Sequence, residues 1–267
     1  MRPSSVAWPV RKLRAGALAQ PLEDALAAEE PLEIRLNGRA VVVTMRTPGN
    51  DEELAVGFLH DEGILARDAH VRAHVLANPL DPAQGNIVDV RVEPGALRKL
   101  PGQRAFHASS ACGVCGQASL EDMQRDFAPV TSALCVGSAQ LLALPAQLRA
   151  SQEVFDRTGG LHAAALFGAG ELLCAREDIG RHNAVDKVVG WAYNARRLPL
   201  SDSVLMVSGR AGYEVVQKAV AAGIPVVAAV GAPSSLAARL AEQAGLTLVG
   251  FLRDGGFNVY SHAERIA

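Results

Sequence analysis

The residues best suited to chemistry are two thiols, Cys112 and Cys115, in the run Ser109-Ser110-Ala111-Cys112-Gly113-Val114-Cys115-Gly116. Leu120, Met123 and Phe127 follow at helical spacing, which predicts that the pair precedes a helix start. Free N–H groups and the dipole at such a start favour a thiolate, making one cysteine a better nucleophile near neutral pH. Three other readings stand beside a reactive pair. Half a zinc site needs a second ligand pair, and the remaining cysteines, Cys135 and Cys174, are isolated. A thioredoxin-type dithiol belongs at the end of the first strand of a compact α/β domain, whereas this pair follows a long N-terminal module. A buried structural pair is the plainest option, but the flanking glycines argue for an accessible loop. The reactive pair is preferred.

Four further clusters come later in the chain. In Thr158-Gly159-Gly160-Leu161-His162, two glycines precede a strand that presents His162 among small residues; a lone strand histidine is also an ordinary core or edge residue. The run Glu177-Asp178-Ile179-Gly180-Arg181-His182-Asn183-Ala184-Val185-Asp186-Lys187 reads either as a capped helix start, with Asn183 or Asp186 as acceptor, or as the lining of a polar ligand site. Ser208-Gly209-Arg210 follows a strand and opens a helix, the arrangement a phosphate wants at a sheet's carboxyl end. Neither a dinucleotide fingerprint nor a Walker A motif is present. Gly231-Ala232-Pro233-Ser234 repeats that strand-to-helix geometry, and Phe251-Leu252-Arg253-Asp254-Gly255-Gly256 ends a third strand. Three strand ends carrying Arg210, Ser234 and Arg253 are therefore expected to converge on one edge, where a phosphorylated ligand would bind.

The elements that must hold these groups are legible from pattern. Alternating apolar residues on both sides of Asn37-Gly38 predict a β-hairpin with a type I′ turn. Asp51, Glu52 and Glu53 suit a helix start, Leu54 and Phe58 share a face, and Gly63 stops that helix. Residues 87–92 alternate as a strand, and 94–102 read as loop. Segments 203–207, 225–230 and 247–251 are short apolar strands. Between them lie one helix ended by Gly223 and another capped by Ser234 and ended by Gly245. That order implies right-handed crossovers and a parallel sheet. Segments 161–167 and 171–174 read as a hairpin added to it, and 185–195 as a helix.

The 267 residues leave ample room for a core, and 49% hydrophobic with 20% charged residues argues against disorder. A formal charge of −2 implies no general grip on nucleic acid, although all but four of the 26 basic residues are arginine. No run of 18 apolar residues offers a membrane span, and the apolar stretches near the N-terminus are too short for a signal peptide. The expectation is a soluble cytoplasmic protein with reduced thiols. Its expected divisions are an N-terminal extension (1–19), a small α+β domain (20–104) and an α/β domain carrying the thiol loop (105–267).

Taken together, the motifs resemble the FdhD family of formate dehydrogenase accessory sulfurtransferases. The resemblance rests on Pro31-Leu32-Glu33-Ile34, Met45-Arg46-Thr47-Pro48-Gly49, Asp51 through Phe58, the Cys112–Cys115 segment, Thr158 through His162, Asp178 through Lys187, Ser208-Gly209-Arg210 and Ala232 through Leu236. It implies a cytidine-deaminase-like C-terminal α/β domain and a homodimer. It also implies a sulfur relay from a cysteine desulfurase to the molybdenum (or tungsten) bis-guanine-dinucleotide cofactor of formate dehydrogenase, with GDP or GMP as mimics of that cofactor. By this resemblance Cys112 is the sulfur carrier, with Cys115 assisting or resolving. Phe251 through Gly256, with Ser208, Gly209 and Arg210, would contact the cofactor, and His162, Arg181 and His182 would line the path to it. No metal site of the protein's own is implied.

Two other functions are weighed against that one. A non-catalytic cofactor chaperone would use the cysteines structurally. A zinc hydrolase or deaminase needs His-x-Glu before a Pro-Cys-x-x-Cys, whereas Ala164 stands two residues after His162 and the Cys pair comes earlier.

Overall fold

The computed structural model describes residues 3–14, 17–79, 85–98, 129–253 and 255–267. Both cysteines of the expected reactive pair and Asp254 lie outside the described residues.

The chain opens with a two-stranded antiparallel ribbon, β1 (Ser5–Arg14) and β2 (Ala17–Ala27). The expected boundary at 19/20 therefore falls inside β2; its mixed sequence lacks the strict alternation that announces a strand. Next comes a four-stranded sheet in the order β4-β3-β6-β5, from β3 (Glu30–Leu36), β4 (Arg39–Arg46), β5 (Val71–Leu76) and β6 (Ile87–Val92). Asn37 and Gly38 turn the β3–β4 hairpin at φ 49° and 82°, the left-handed pair that a type I′ turn needs. Helix α1 (Asp51–Asp61) crosses this sheet and buries Leu54, Ala55, Val56 and Leu59 against Leu32, Ile34, Val88 and Val90.

The second sheet has six strands in the order β12-β11-β10-β9-β7-β8. Its parallel centre is β9 (Ser203–Val207), β10 (Val226–Ala229) and β11 (Thr247–Arg253). They are joined by α5 (Tyr213–Ala222) and α6 (Ser235–Ala244), which end at left-handed Gly223 and Gly245. Ser234 Oγ accepts from Ala237 N at 3.2 Å, capping α6 as expected. The hairpin β7 (His162–Gly168) and β8 (Glu171–Asp178) joins antiparallel to β9, and β12 (Gly256–Ser261) closes the other side.

Alternation sorts the strand residues onto two faces. Leu205, Val207 and Val227 pack with α4 (Arg181–Asn194), α5 and α6, while Val204, Met206 and Val226 pack with α2 (Ser138–Ala150). A short α3 (Glu153–Thr158) leads into β7. The result is a mixed α/β chain whose second sheet is covered on both faces. Among the described residues no helix is long and apolar enough to cross a membrane.

Helix α4 starts four residues before the segment that periodicity marks. Its first turns are polar yet buried, so no apolar stripe announces them. The expected cap acceptors also differ. Gly180 is the cap residue, and Asp178 Oδ1 accepts from Gly180 N at 2.8 Å. Asn183 instead donates to Asp178 Oδ1 and to Met45 O, and Asp186 pairs with Lys218 at 2.6 Å.

Candidate functional site

The carboxyl ends of the parallel strands and the amino end of β7 lie along one sheet edge, because β7 runs antiparallel to β9. From β8 to β11 this edge presents Asp178, His162, Ser208 to Arg210, Gly231, and Phe251 to Arg253. Five strands at about 4.8 Å spacing make it roughly 20 Å long, enough for an extended ligand.

Main-chain bonds stitch its loops together. Gly231 N donates to Gly209 O at 3.0 Å, Phe251 N to Gly231 O at 3.1 Å, and Ser234 N to Ala211 O at 3.1 Å. The approach is so close that a Cβ on Gly231 would lie 2.9 Å from Gly209 O. Ser208 is tied to β7 in both directions, its N donating to Ala163 O and its Oγ accepting from Ala163 N, each at 2.9 Å. The three strand ends thus converge as their sequences imply.

His162 is half-buried beside this loop, and a Cβ on Gly209 would come 3.3 Å from its Nδ1. Burial lowers its proton affinity below the ordinary histidine value, and Arg181, His182 and Arg210 add to that against Asp178. His182 is buried, and its Nε2 lies 2.6 Å from Glu214 Oε2. Arg210 is exposed and Arg181 half-buried. So the structure brings His162 and His182 together with the cationic side chains of Arg181 and Arg210, the kind of surface that binds a phosphoryl group.

At the far end, Phe251 sits at φ 53°, a left-handed conformation that bulky residues rarely adopt. Its exposed ring has the Arg253 guanidinium 5.8 Å from its centroid. Leu252 points the other way, into the core with Val249, Met206 and Phe167. Phe251 and Arg253 belong to β11, and Gly256 begins β12, so this segment is the end of a hairpin rather than a loop beyond a finished strand. Of the other cysteines, Cys135 is exposed and Cys174 buried; burial pushes the Cys174 thiol up to about 12, which leaves it unreactive.

Half of the polar run 177–187 serves structure instead. Lys187 Nζ lies 2.7 Å from Asp178 Oδ2, both fully buried, and donates to Thr47 O at 2.9 Å. Asp178 also accepts from Thr47 N, and Asn183 reaches Met45 O. Arg176 holds Glu53 with two bonds of 2.6 and 2.8 Å. These contacts clasp the two sheets together, while Arg181 and His182 of the run act on His162 at the edge. Sequence reasoning missed Glu214, whose signal was its place in the first turn after the Ser-Gly-Arg loop.

The family model described as FdhD/NarQ matches residues 27–267. The chain belongs to the FdhD/NarQ family. It is 54% identical to the sulfur carrier protein FdhD of Mycolicibacterium paratuberculosis, over 96% of this chain and 97% of that one. It is 53% identical to the protein of the same name from Streptomyces coelicolor, over 97% and 94%. The crystal structure of a candidate formate dehydrogenase accessory protein from Desulfotalea psychrophila superposes with a TM-score of 0.80 at 28% identity, covering 99% of this chain and all of that one. The fold of this FdhD/NarQ chain is therefore shared along its whole length.

Proposed function

We propose that this chain is a sulfur carrier that supports formate dehydrogenase, taking persulfide sulfur from a cysteine desulfurase and passing it to the molybdenum bis-guanine-dinucleotide cofactor. The observation that carries the reading is near-full-length similarity to proteins named sulfur carrier protein FdhD, joined to a Cys112-Gly113-Val114-Cys115 pair in this chain.

The transfer needs no outside oxidant. The Cys112 thiolate attacks the terminal sulfur of the donor's persulfide; that S–S bond breaks, and its electron pair leaves with the donor's cysteine as a thiolate. A new S–S bond joins the sulfur to Cys112, and Cys115 assists or resolves. The cofactor is substrate here. The sheet edge supports that assignment: the cationic Arg181 and Arg210 beside two histidines for phosphates, and an exposed aromatic ring, Phe251, for a planar base. The protein acts in the cytoplasm, as a homodimer.

Replacing Cys112 by Ala separates this from a chaperone that merely shields the cofactor. In cells whose formate dehydrogenase depends on this protein, Cys112→Ala is expected to abolish that activity while the protein still accumulates. Retention of most of the activity would favour the chaperone and contradict the carrier.

A further inference from the structure

His162 is surrounded by charge that it does not neutralise. Its ring is half-buried on Gly209, and among the described residues no hydrogen bond ends on it. Arg181 and His182 face it from α4, and Arg210 from the β9–α5 loop; no described residue pairs with the Arg210 guanidinium.

Among the described residues two acids stand nearby, and neither bonds to His162. Asp178, opposite it in register on β8, is occupied by Lys187, Asn183 and the N–H groups of Thr47 and Gly180. Glu214, from α5, spends one oxygen on His182, while its other oxygen is buried with no donor among the described residues. Burial first, then Arg181, His182 and Arg210, hold its proton affinity below the ordinary histidine value, and no described acid is bonded to it. An anion arriving among the same side chains would reverse that lowering, since it would favour the charged ring.

We propose that His162 is the proton-linked contact of this site: a phosphoryl dianion docking between its imidazole and Arg210 brings a proton onto the ring, so that anion and proton are bound together. The proton comes from solvent, and no covalent bond changes. This deepens the reading above, on which it rests for the phosphorylated nature of the ligand. By reciprocity, the factor by which the anion tightens proton binding is the factor by which the proton tightens anion binding. The cofactor's phosphates would then be held more firmly as pH falls.

Inorganic sulfate is the probe, because it remains a dianion across the whole accessible pH range. The His162 imidazole is titrated by NMR in sulfate and in chloride of equal ionic strength, with its signal assigned by its loss in His162→Gln. In chloride the midpoint should lie below about 6.5. In saturating sulfate it should rise by about one pH unit, equivalent to about tenfold tighter sulfate binding by the protonated protein. Arg210→Ala, which removes an exposed side chain, should cancel the rise without altering thermal unfolding. The same midpoint in both salts would overturn the proposal, as would a rise that survives Arg210→Ala. Sulfate that leaves both the ring and the 208–212 amides unmoved would overturn it too. Persulfide formation on Cys112 is measured separately in the same preparation, so failure of the linkage and failure of the sulfur-carrier reading are distinguishable.

Discussion

Side chains that carry charge inside this protein fall into two groups, those spent on architecture and those turned toward the sheet edge. Lys187 belongs to the first. Truncating it to Met would strand the Asp178 carboxylate in the interior, a loss of about 3–5 kcal/mol. Urea unfolding of Lys187→Met reads this directly, and a loss below about 1 kcal/mol would contradict the architectural role. His60 offers a test with a sign. Burial, then Arg67, Arg98 and Lys218, push it down to about 3, so the folded protein keeps it neutral where the unfolded chain would charge it. Its contribution is complete above about pH 6.5 and is lost as pH falls toward 3, at about 1.4 kcal/mol per pH unit. The stability difference between wild type and His60→Gln should therefore shrink or reverse by that slope on acidification. A difference independent of pH between 6.5 and 4 would contradict it. At this scale the sequence was informative about residue types and silent about assignment. His162, Arg181, His182 and Arg210 were legible as candidates, but nothing in the spacing of 177–187 says that Asp178, Asn183, Asp186 and Lys187 clasp two sheets. Hydrogen bonds from Asn183 to Met45 and between Thr47 and both Asp178 and Lys187 join distant parts of the chain and leave no local trace.

Among the elements, those that announce themselves do so by punctuation. Asn37-Gly38, Ser234, Gly223 and Gly245 place a turn, a cap and two helix ends where their backbone preferences require. Helix α2 escapes such reading because Pro145 sits inside it, where a proline normally argues against a helix. Strands β5 and β12 escape because they lie at sheet margins with exposed, weakly patterned residues. The α1–α4 crossing escapes entirely, since it depends on two glycines far apart in sequence. A Cβ on Gly57 would lie 1.9 Å from Asp186 O, and one on Gly190 1.8 Å from Glu53 O, so the two backbones touch. Neither helix can retreat freely, with α1 packed on its own sheet and α4 on the other. Gly190→Ala should cost at least about 1–3 kcal/mol, a cost typical of overpacking. The expected signature is a lower melting temperature together with weaker protection of amides in both helices. An unchanged melting temperature would show that the helices can part.

For the whole molecule, the two sheets meet through α1 and α4 and through the Glu53–Arg176 and Thr47–Asp178 contacts, which hold the N-terminal sheet against the body that bears the edge cluster. The architecture places Arg181, Arg210 and two histidines at one sheet edge, and the proposed function assigns the sulfur chemistry to Cys112 and Cys115. That division makes one measurement decisive: the intact mass of the protein after incubation with a cysteine desulfurase and cysteine, compared with Cys112→Ala and Cys115→Ala under the same conditions. The expected result is a gain of one sulfur, about 32 Da, that is lost in Cys112→Ala and reversed by a reductant. No gain in any form, with zinc bound to the purified protein, would contradict it and return the cysteine pair to a metal site.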